Sequence, residues 1–157
     1  RHQDALWHAE RSLELFQLAE HATGQARALN AIGWFNGLLG EHKAALTRCH
    51  DALDVLQRIG DRFGEAETWD SLGFINRELK DWEQAMACYG RAVDLYRELG
   101  DRYNEADTTA YLGDALLAAG RAEDARTTWK QALSILEQLG HPDADQVRAK
   151  IDSVDNH

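Results

Sequence analysis

The chain repeats itself every 40 residues. The segment that begins at Ile59, IGDRFGEAETWDSLG, returns at Leu99 as LGDRYNEADTTAYLG, with eight of fifteen positions identical. The same offset relates Gly33 to Gly73 and Gly113, Ala45 to Ala85 and Ala125, and Ala52 to Ala92 and Ala132. A fixed period of this kind is typical of stacked-repeat proteins, in which each unit buries its apolar face only against its neighbours. The sequence therefore predicts an extended repeat architecture, and such surfaces usually bind other molecules.

Each repeat is predicted to be a pair of helices. Apolar residues recur at helical spacing throughout, and Pro142 is the only proline. We expect one all-α domain over residues 1–157. Its predicted parts are the second helix of a truncated repeat at 1–20, full repeats at 22–60, 61–100 and 101–140, and a C-terminal capping helix at 141–152. The first helix of each pair, helix A, is predicted at about 23–38, 62–78 and 102–118, and the second, helix B, at about 42–59, 82–99 and 122–139.

The junctions between repeats carry helix stop and start signals. Gly60-Asp61 and Gly100-Asp101 place a glycine where a helix can end in a left-handed residue, and an aspartate where the next helix can be N-capped. At the third junction the glycine is kept, and Pro142 is predicted at the first helical position. Within each repeat the turn is only about two residues long, which forces antiparallel packing.

The recurring small residues predict close contact between the two helices of a pair. A glycine in a helix interior costs about 1 kcal/mol, so its threefold recurrence at Gly33, Gly73 and Gly113 requires a reason. We expect helix B to approach helix A closely there, with alanines on the facing side. Those alanines are Ala45, Ala85 and Ala125.

Composition and motifs exclude several functions. A net charge of −10 argues against contact with a nucleic-acid backbone, which needs a basic stripe, and no apolar run reaches the roughly 20 residues of a membrane span. The histidines form no metal-ligand set, and the serines and glycines form no nucleophile elbow or phosphate loop. We therefore expect no catalytic site, no metal and no cofactor. Cys49 and Cys88 occupy different repeat positions, which predicts one buried and one freer thiol in a reducing cytoplasm.

The two ends are irregular. Residues 2–20 match helix B without the helix A that should precede it, so Leu6, Leu13 and Phe16 are expected to leave apolar surface partly uncovered. This predicts self-association through residues 2–20. Because the chain starts at Arg1 and partway through a repeat, we expect it to be a fragment of a larger protein. The last helix is predicted to be a polar cap, with Val147 and Ile151 as inner contacts.

The recurring positions resemble the tetratricopeptide repeat. Trp69, Leu72-Gly73, Ala85, Tyr89 and Ala92 fit the pattern of that family well, and the equivalent positions of the other repeats fit it loosely. The 40-residue period and the absence of a proline after helix B depart from it. The resemblance implies a right-handed superhelical solenoid of antiparallel helix pairs that binds a protein or peptide.

A narrower resemblance concerns two short segments. Residues 99–108, LGDRYNEADT, and 139–145, LGHPDAD, are similar to the C-terminal repeat region of actinobacterial transcriptional regulators. Those proteins join an antibiotic-regulatory DNA-binding domain to an NB-ARC-type ATPase and then to tetratricopeptide repeats. The resemblance implies a sensor or partner-binding region of a regulator, whose partner can be another domain of the same parent chain.

The family resemblance also implies a binding groove along one face of the A helices. The corresponding residues here are Arg27, Asn30, Trp34, Gly37, Glu67, Asp70, Phe74, Arg77, Asp107, Ala110, Asp114 and Leu117. This face carries more acids than bases and two aromatics in adjacent repeats, which favours a partner with basic and apolar groups. The alternative interpretation is a solvated face whose aromatics pack on the neighbouring repeat. The alternative function is a helical receptor for a small molecule or short signalling peptide.

Overall fold

The computed structural model describes residues 1–156, which form eight α-helices without a β-strand. The helices are α1 (His2–Leu18), α2 (Ala22–Leu38), α3 (His42–Ile59), α4 (Arg62–Glu78), α5 (Trp82–Leu99), α6 (Arg102–Ala118), α7 (Ala122–Gln138) and α8 (Ala144–Asp155). Helices α2, α4 and α6 are the predicted A helices, and α3, α5 and α7 are the predicted B helices. Each helix packs mainly on the helices next to it in sequence, as a solenoid requires.

The residues at the junctions make the predicted caps. Gly60 and Gly100 adopt left-handed conformations, with φ of 72° and 71°. The Asp61 side chain then accepts a hydrogen bond of 2.9 Å from the backbone N–H of Gly64. Within a repeat, the tight turn also requires a left-handed residue, and Lys80 adopts φ 60° where the other two full repeats have glycine.

The third junction differs from its prediction. Pro142 is not the first helical residue, because α8 begins at Ala144. The N–H of Ala144 bonds to the carbonyl of His141 at 3.1 Å, and the next N–H bonds to the carbonyl of Pro142 at 3.2 Å. These contacts between residues three apart make a separate turn, so the capping helix starts two residues later than predicted. Val147 and Ile151 are buried, as expected for its inner contacts.

The helix glycines make room for a large side chain rather than for an alanine. A Cβ atom added to Gly73 would lie 2.5 Å from Cδ1 of Tyr89, and one added to Gly113 would clash with the indole ring of Trp129. Gly33 faces Cys49 at the equivalent place. The predicted close approach is therefore present, but the helix-B residue seated on the glycine lies four positions after the predicted alanine.

Two expectations about buried residues are wrong. Leu6 and Leu13 are covered, because they pack on α2 of the following repeat, and Phe16 is half-buried. The apolar side chains that α1 exposes are instead Trp7 and Leu15, at 59% and 58%, together with Leu18. The positions 40 residues after Trp7 and Leu18, Thr47 and Arg58, are exposed as well.

The second wrong expectation is the freer thiol. Cys49 and Cys88 are both buried and unpaired. Cys88 packs beside Leu72 and Ile75 of α4, and the Asn76 amide donates to its Sγ atom at 3.9 Å. Burial raises the pKa of the Cys88 thiol to about 11 and that of Cys49 to about 12. Both thiols are therefore protonated at neutral pH and are poor nucleophiles.

Candidate functional site

The predicted face of the A helices forms a groove across α2, α4 and α6. Residues three and four apart share one face of a helix, and the 40-residue period places equivalent residues side by side in successive A helices. The groove contains two cavities, of about 570 Å³ and about 290 Å³. The larger is lined by Arg27, Asn30, Trp34, Glu67 and Asp70, among others, and the smaller by Trp34, Asp70, Phe74, Arg77, Tyr89, Asp107 and Tyr111.

Aromatic rings divide the groove. The rings of Trp34 and Phe74 lie 4.6 Å apart between centroids, at 40° to each other. A Cβ atom at Gly37 would lie 3.1 Å from Cγ1 of Ile75 and 3.3 Å from the Phe74 ring, so a side chain there would press these groups aside by a few tenths of an ångström. Both rings stay half-buried, and Trp34 lines both cavities. The aromatics thus pack across repeats and also present surface to the groove.

The guanidinium of Arg77 stacks on two aromatic rings of the groove. The Arg77 guanidinium lies 5.3 Å from the Phe74 ring centroid and 5.8 Å from that of Tyr111. Tyr111 in turn stacks on Tyr89 at 6.0 Å. These ring faces therefore accept a guanidinium, an interaction worth about 0.5–2 kcal/mol.

The groove carboxylates, Glu67, Asp70 and Asp107, are held in an environment that disfavours their charge. Burial and then the neighbouring charge of Asp107 raise the pKa of Asp70 to about 7, although the Thr108 hydroxyl donates to Asp70 at 3.3 Å. Burial also raises the pKa values of Glu67 and Asp107. The site therefore concentrates negative charge in a poorly solvated space.

Asp114 and Leu117, at the end of the predicted face, line neither of these cavities. The Asp114 carboxylate pairs with the ammonium of Lys150 from α8 at 2.8 Å, and it accepts a hydrogen bond of 3.1 Å from the indole N–H of Trp129. It therefore fastens the capping helix to the last full repeat. Gly37 serves the groove by making space, as described above.

Tyr96, Asn104 and Tyr111 are groove residues that sequence reasoning missed. Tyr111 follows Asp107 by four residues, so helical spacing alone could have placed it on the same face. Tyr96 belongs to helix B, and no signal in the A-helix face could have found it.

Over residues 1–156, no three His, Cys, Asp or Glu side chains are grouped so that they could hold a metal ion. No helix in that part of the chain combines the length and apolar character needed to cross a membrane.

Helix pairs stacked in series, with a groove along their first helices, define a helical-repeat protein. The sequence profile of the tetratricopeptide repeat matches residues 35–98 and again 64–138, and together these ranges span more than half of the chain. The chain therefore belongs to the tetratricopeptide repeat family, which confirms the family predicted from the sequence. Members of this family generally act as scaffolds for protein–protein interaction rather than as catalysts.

Solved structures agree with this assignment. BtubC (BKLC) from P. vanneervenii is similar with a TM-score of 0.80 and 21% identity, over 90% of this chain and 60% of that one. A Rap protein, solved in complex with Competence and Sporulation Factor, is similar with a TM-score of 0.81 and 16% identity, over 95% of this chain and 42% of that one. At these identities the likeness shows the fold alone, and it confirms the all-helical repeat solenoid. The chain spans less than two thirds of either protein. No curated protein sequence is significantly similar to it.

Proposed function

We propose that this chain binds a peptide segment of a partner protein in the groove of its A helices. The observation that carries the proposal is the half-buried pair of Trp34 and Phe74, which lies between two cavities in a groove with excess negative charge. Interface hot spots are enriched in aromatic side chains that are pre-positioned and partly desolvated. A peptide with an apolar side chain for this pair and basic groups nearby would match the groove.

The decisive experiment removes the aromatic pair. Because no partner is identified, the probe is a peptide selected from a random phage-displayed library on the wild-type chain, and its affinity is measured by fluorescence anisotropy. In a Trp34→Ala/Phe74→Ala double variant, we expect the dissociation constant to rise about 30-fold or more, equivalent to about 2 kcal/mol.

Two control variants show whether the effect belongs to the groove. Trp7→Ala removes an exposed aromatic outside the groove, and Asp54→Asn removes an exposed charge on helix B, so both should leave the affinity unchanged. Circular dichroism establishes that the double variant is folded. Unchanged binding by a folded double variant would place the binding surface elsewhere.

We further propose that the partner segment belongs to a transcriptional regulator of the type that residues 99–108 and 139–145 resemble. The groove would then hold another domain of the same parent chain in the cytoplasm until a signal releases it. A reporter gene controlled by the parent regulator tests this, because the Trp34→Ala/Phe74→Ala variant should make expression independent of the signal. Expression that still needs the signal would contradict an inhibitory contact through the groove.

A receptor for a small molecule or a short signalling peptide is the second candidate. The larger cavity, of about 570 Å³, falls within the range of about 300–1,000 Å³ that small ligands occupy. The similar Rap protein, solved with Competence and Sporulation Factor, is a helical-repeat protein with a bound factor. Native mass spectrometry of the purified chain would show a retained ligand as a discrete added mass, whereas a partner-protein groove would give the mass of the chain alone.

A further inference from the structure

The groove carboxylates differ from other acidic side chains of the A helices in their lack of ion-pair partners. Glu65, two residues before Glu67 on α4, is buried but pairs with Arg62 at 3.1 Å. Within residues 1–156, no cationic nitrogen lies within 4.0 Å of a carboxylate oxygen of Glu67, Asp70 or Asp107. The other acids of α4 and α6 all have an ion pair, whereas within the described residues the three groove carboxylates have none.

An unpaired carboxylate in a poorly solvated place costs free energy, and a cation that binds beside it reduces that cost. This cost is greatest for Asp70, since burial and the charge of Asp107 both disfavour its ionised form. Its single hydrogen bond from a neutral hydroxyl, that of Thr108, does not neutralise it. Asp70 and Asp107 both line the smaller cavity, so a group that enters there meets both.

The walls of the smaller cavity suit a cation with an apolar stem. Phe74 and Tyr111 line it, and the Arg77 guanidinium stacks on these rings from 5.3 and 5.8 Å. The charged residues that line the smaller cavity are Asp70, Asp107 and Arg77, which leaves an excess of one negative charge when both carboxylates are ionised. Long basic side chains typically lay their methylene stems on apolar surface and direct their charged end to carboxylates.

We propose that the smaller cavity is a subsite for one arginine or lysine side chain of the bound peptide. The charged end lies between Asp70 and Asp107, and the stem packs on the rings of Phe74 and Trp34. This inference rests on the proposed peptide-binding function and adds the chemical class of a specific anchor. The net charge of −10 supports the same occupant, since it attracts basic segments and repels acidic ones.

Binding of the cation is coupled to pH. Acid protonates the groove carboxylates, so affinity for a basic side chain falls as pH falls. With Asp70 half-ionised near pH 7, the dissociation constant should rise about tenfold between pH 8 and pH 6. His141 and Lys150 lie near Asp107. The Arg77 guanidinium also acts on Asp70. The three tyrosines whose charge couples to Asp70 have raised pKa values and stay protonated over this range: Tyr89, Tyr96 and Tyr111.

The test replaces the charge of the peptide without changing its shape. Peptides selected on the wild-type chain from a random library should carry one arginine or lysine at a fixed distance from an apolar residue. Citrulline, the neutral isostere of arginine, then replaces that residue. We expect citrulline to weaken wild-type binding about tenfold or more, and the loss should shrink to about twofold in an Asp70→Asn/Asp107→Asn variant.

Matched variants separate the subsite from the groove as a whole. Trp34→Ala/Phe74→Ala should weaken binding of both the arginine and the citrulline peptide. Asp54→Asn, on the exposed face of α3, should change the binding of neither. If the wild-type chain binds the two peptides equally, or selects peptides without a basic residue, the cation subsite is wrong while the groove proposal stands. If loss of the aromatic pair has no effect, both proposals are wrong. Should the double aspartate variant fail to fold, the citrulline comparison and the pH profile of the wild-type chain still decide.

Discussion

Gly73→Ala tests whether the repeat register is enforced by the packing of helix B on helix A. The added Cβ atom would lie 2.5, 2.6 and 2.8 Å from three ring atoms of Tyr89. Ordinary contact begins near 3.4 Å, so the ring must move by close to an ångström. Tyr89 is almost fully buried, between the helix glycine and Tyr111, and has little room to do so.

The size of the effect follows from two opposing terms. Overpacking a filled core costs about 1–3 kcal/mol, whereas replacing glycine by alanine in a helix gains up to about 1 kcal/mol. We therefore expect Gly73→Ala to destabilise the fold by about 1–2 kcal/mol, which lowers the melting temperature by about 2–8 °C for a chain of this length. Gly73→Leu should cost more, since its side chain must also enter the space of the ring.

Gly90→Ala is the matched control, because Gly90 lies inside α5 and its added Cβ atom would meet nothing within 4 Å. This variant should be unchanged or stabilised by up to about 1 kcal/mol, through helix propensity alone. Thermal and urea unfolding followed by circular dichroism compare the two variants. Equal shifts for Gly73→Ala and Gly90→Ala would refute the packing described here.

Two further predictions concern charge and the N-terminal helix. The raised pKa of Asp70 means that the folded chain holds the carboxyl proton more tightly than the unfolded chain, so the stability of the fold falls as pH rises from about 4 to about 7. Asp70→Asn should therefore stabilise the fold at pH 8 by at most about 4 kcal/mol, and by much less at pH 5. Urea unfolding at the two pH values measures this, and an equal effect at both would contradict it. The exposed side chains of α1 predict self-association through residues 2–20, which Trp7→Ser/Leu15→Ser should abolish in sedimentation experiments. A wild-type chain that stays monomeric at high concentration would show this prediction to be wrong.

The helices and their register could be predicted from the sequence because their signals are local. A left-handed glycine at Gly60 or Gly100 and an aspartate cap at Asp61 depend only on the backbone within a few residues. The bounds of the remaining helices then follow from the 40-residue period, since each helix pair has its copies 40 residues away. Pro142 was misplaced because local preference allows it both in the first turn of a helix and in a separate turn before it.

The candidate groove was predictable in position but not in chemistry. Eight of the twelve residues predicted on the A-helix face line the two cavities, since helical spacing and the repeat place them together. Asp114 differs because Lys150, 36 residues away on α8, pairs with it. Nothing in the neighbourhood of either residue in the sequence encodes that contact.

Tertiary structure alone decided which groups are buried, paired or charged. Cys88 is buried because α4 covers it, and Tyr89 rather than Ala85 occupies the space above Gly73. The perturbed pKa of Asp70 arises from desolvation and from Asp107 on another helix. The sequence thus determined the helices, their caps and the face that forms the groove, through interactions over a few residues. The electrostatics of the groove depend on distances between helices, which exist only once the repeats have stacked.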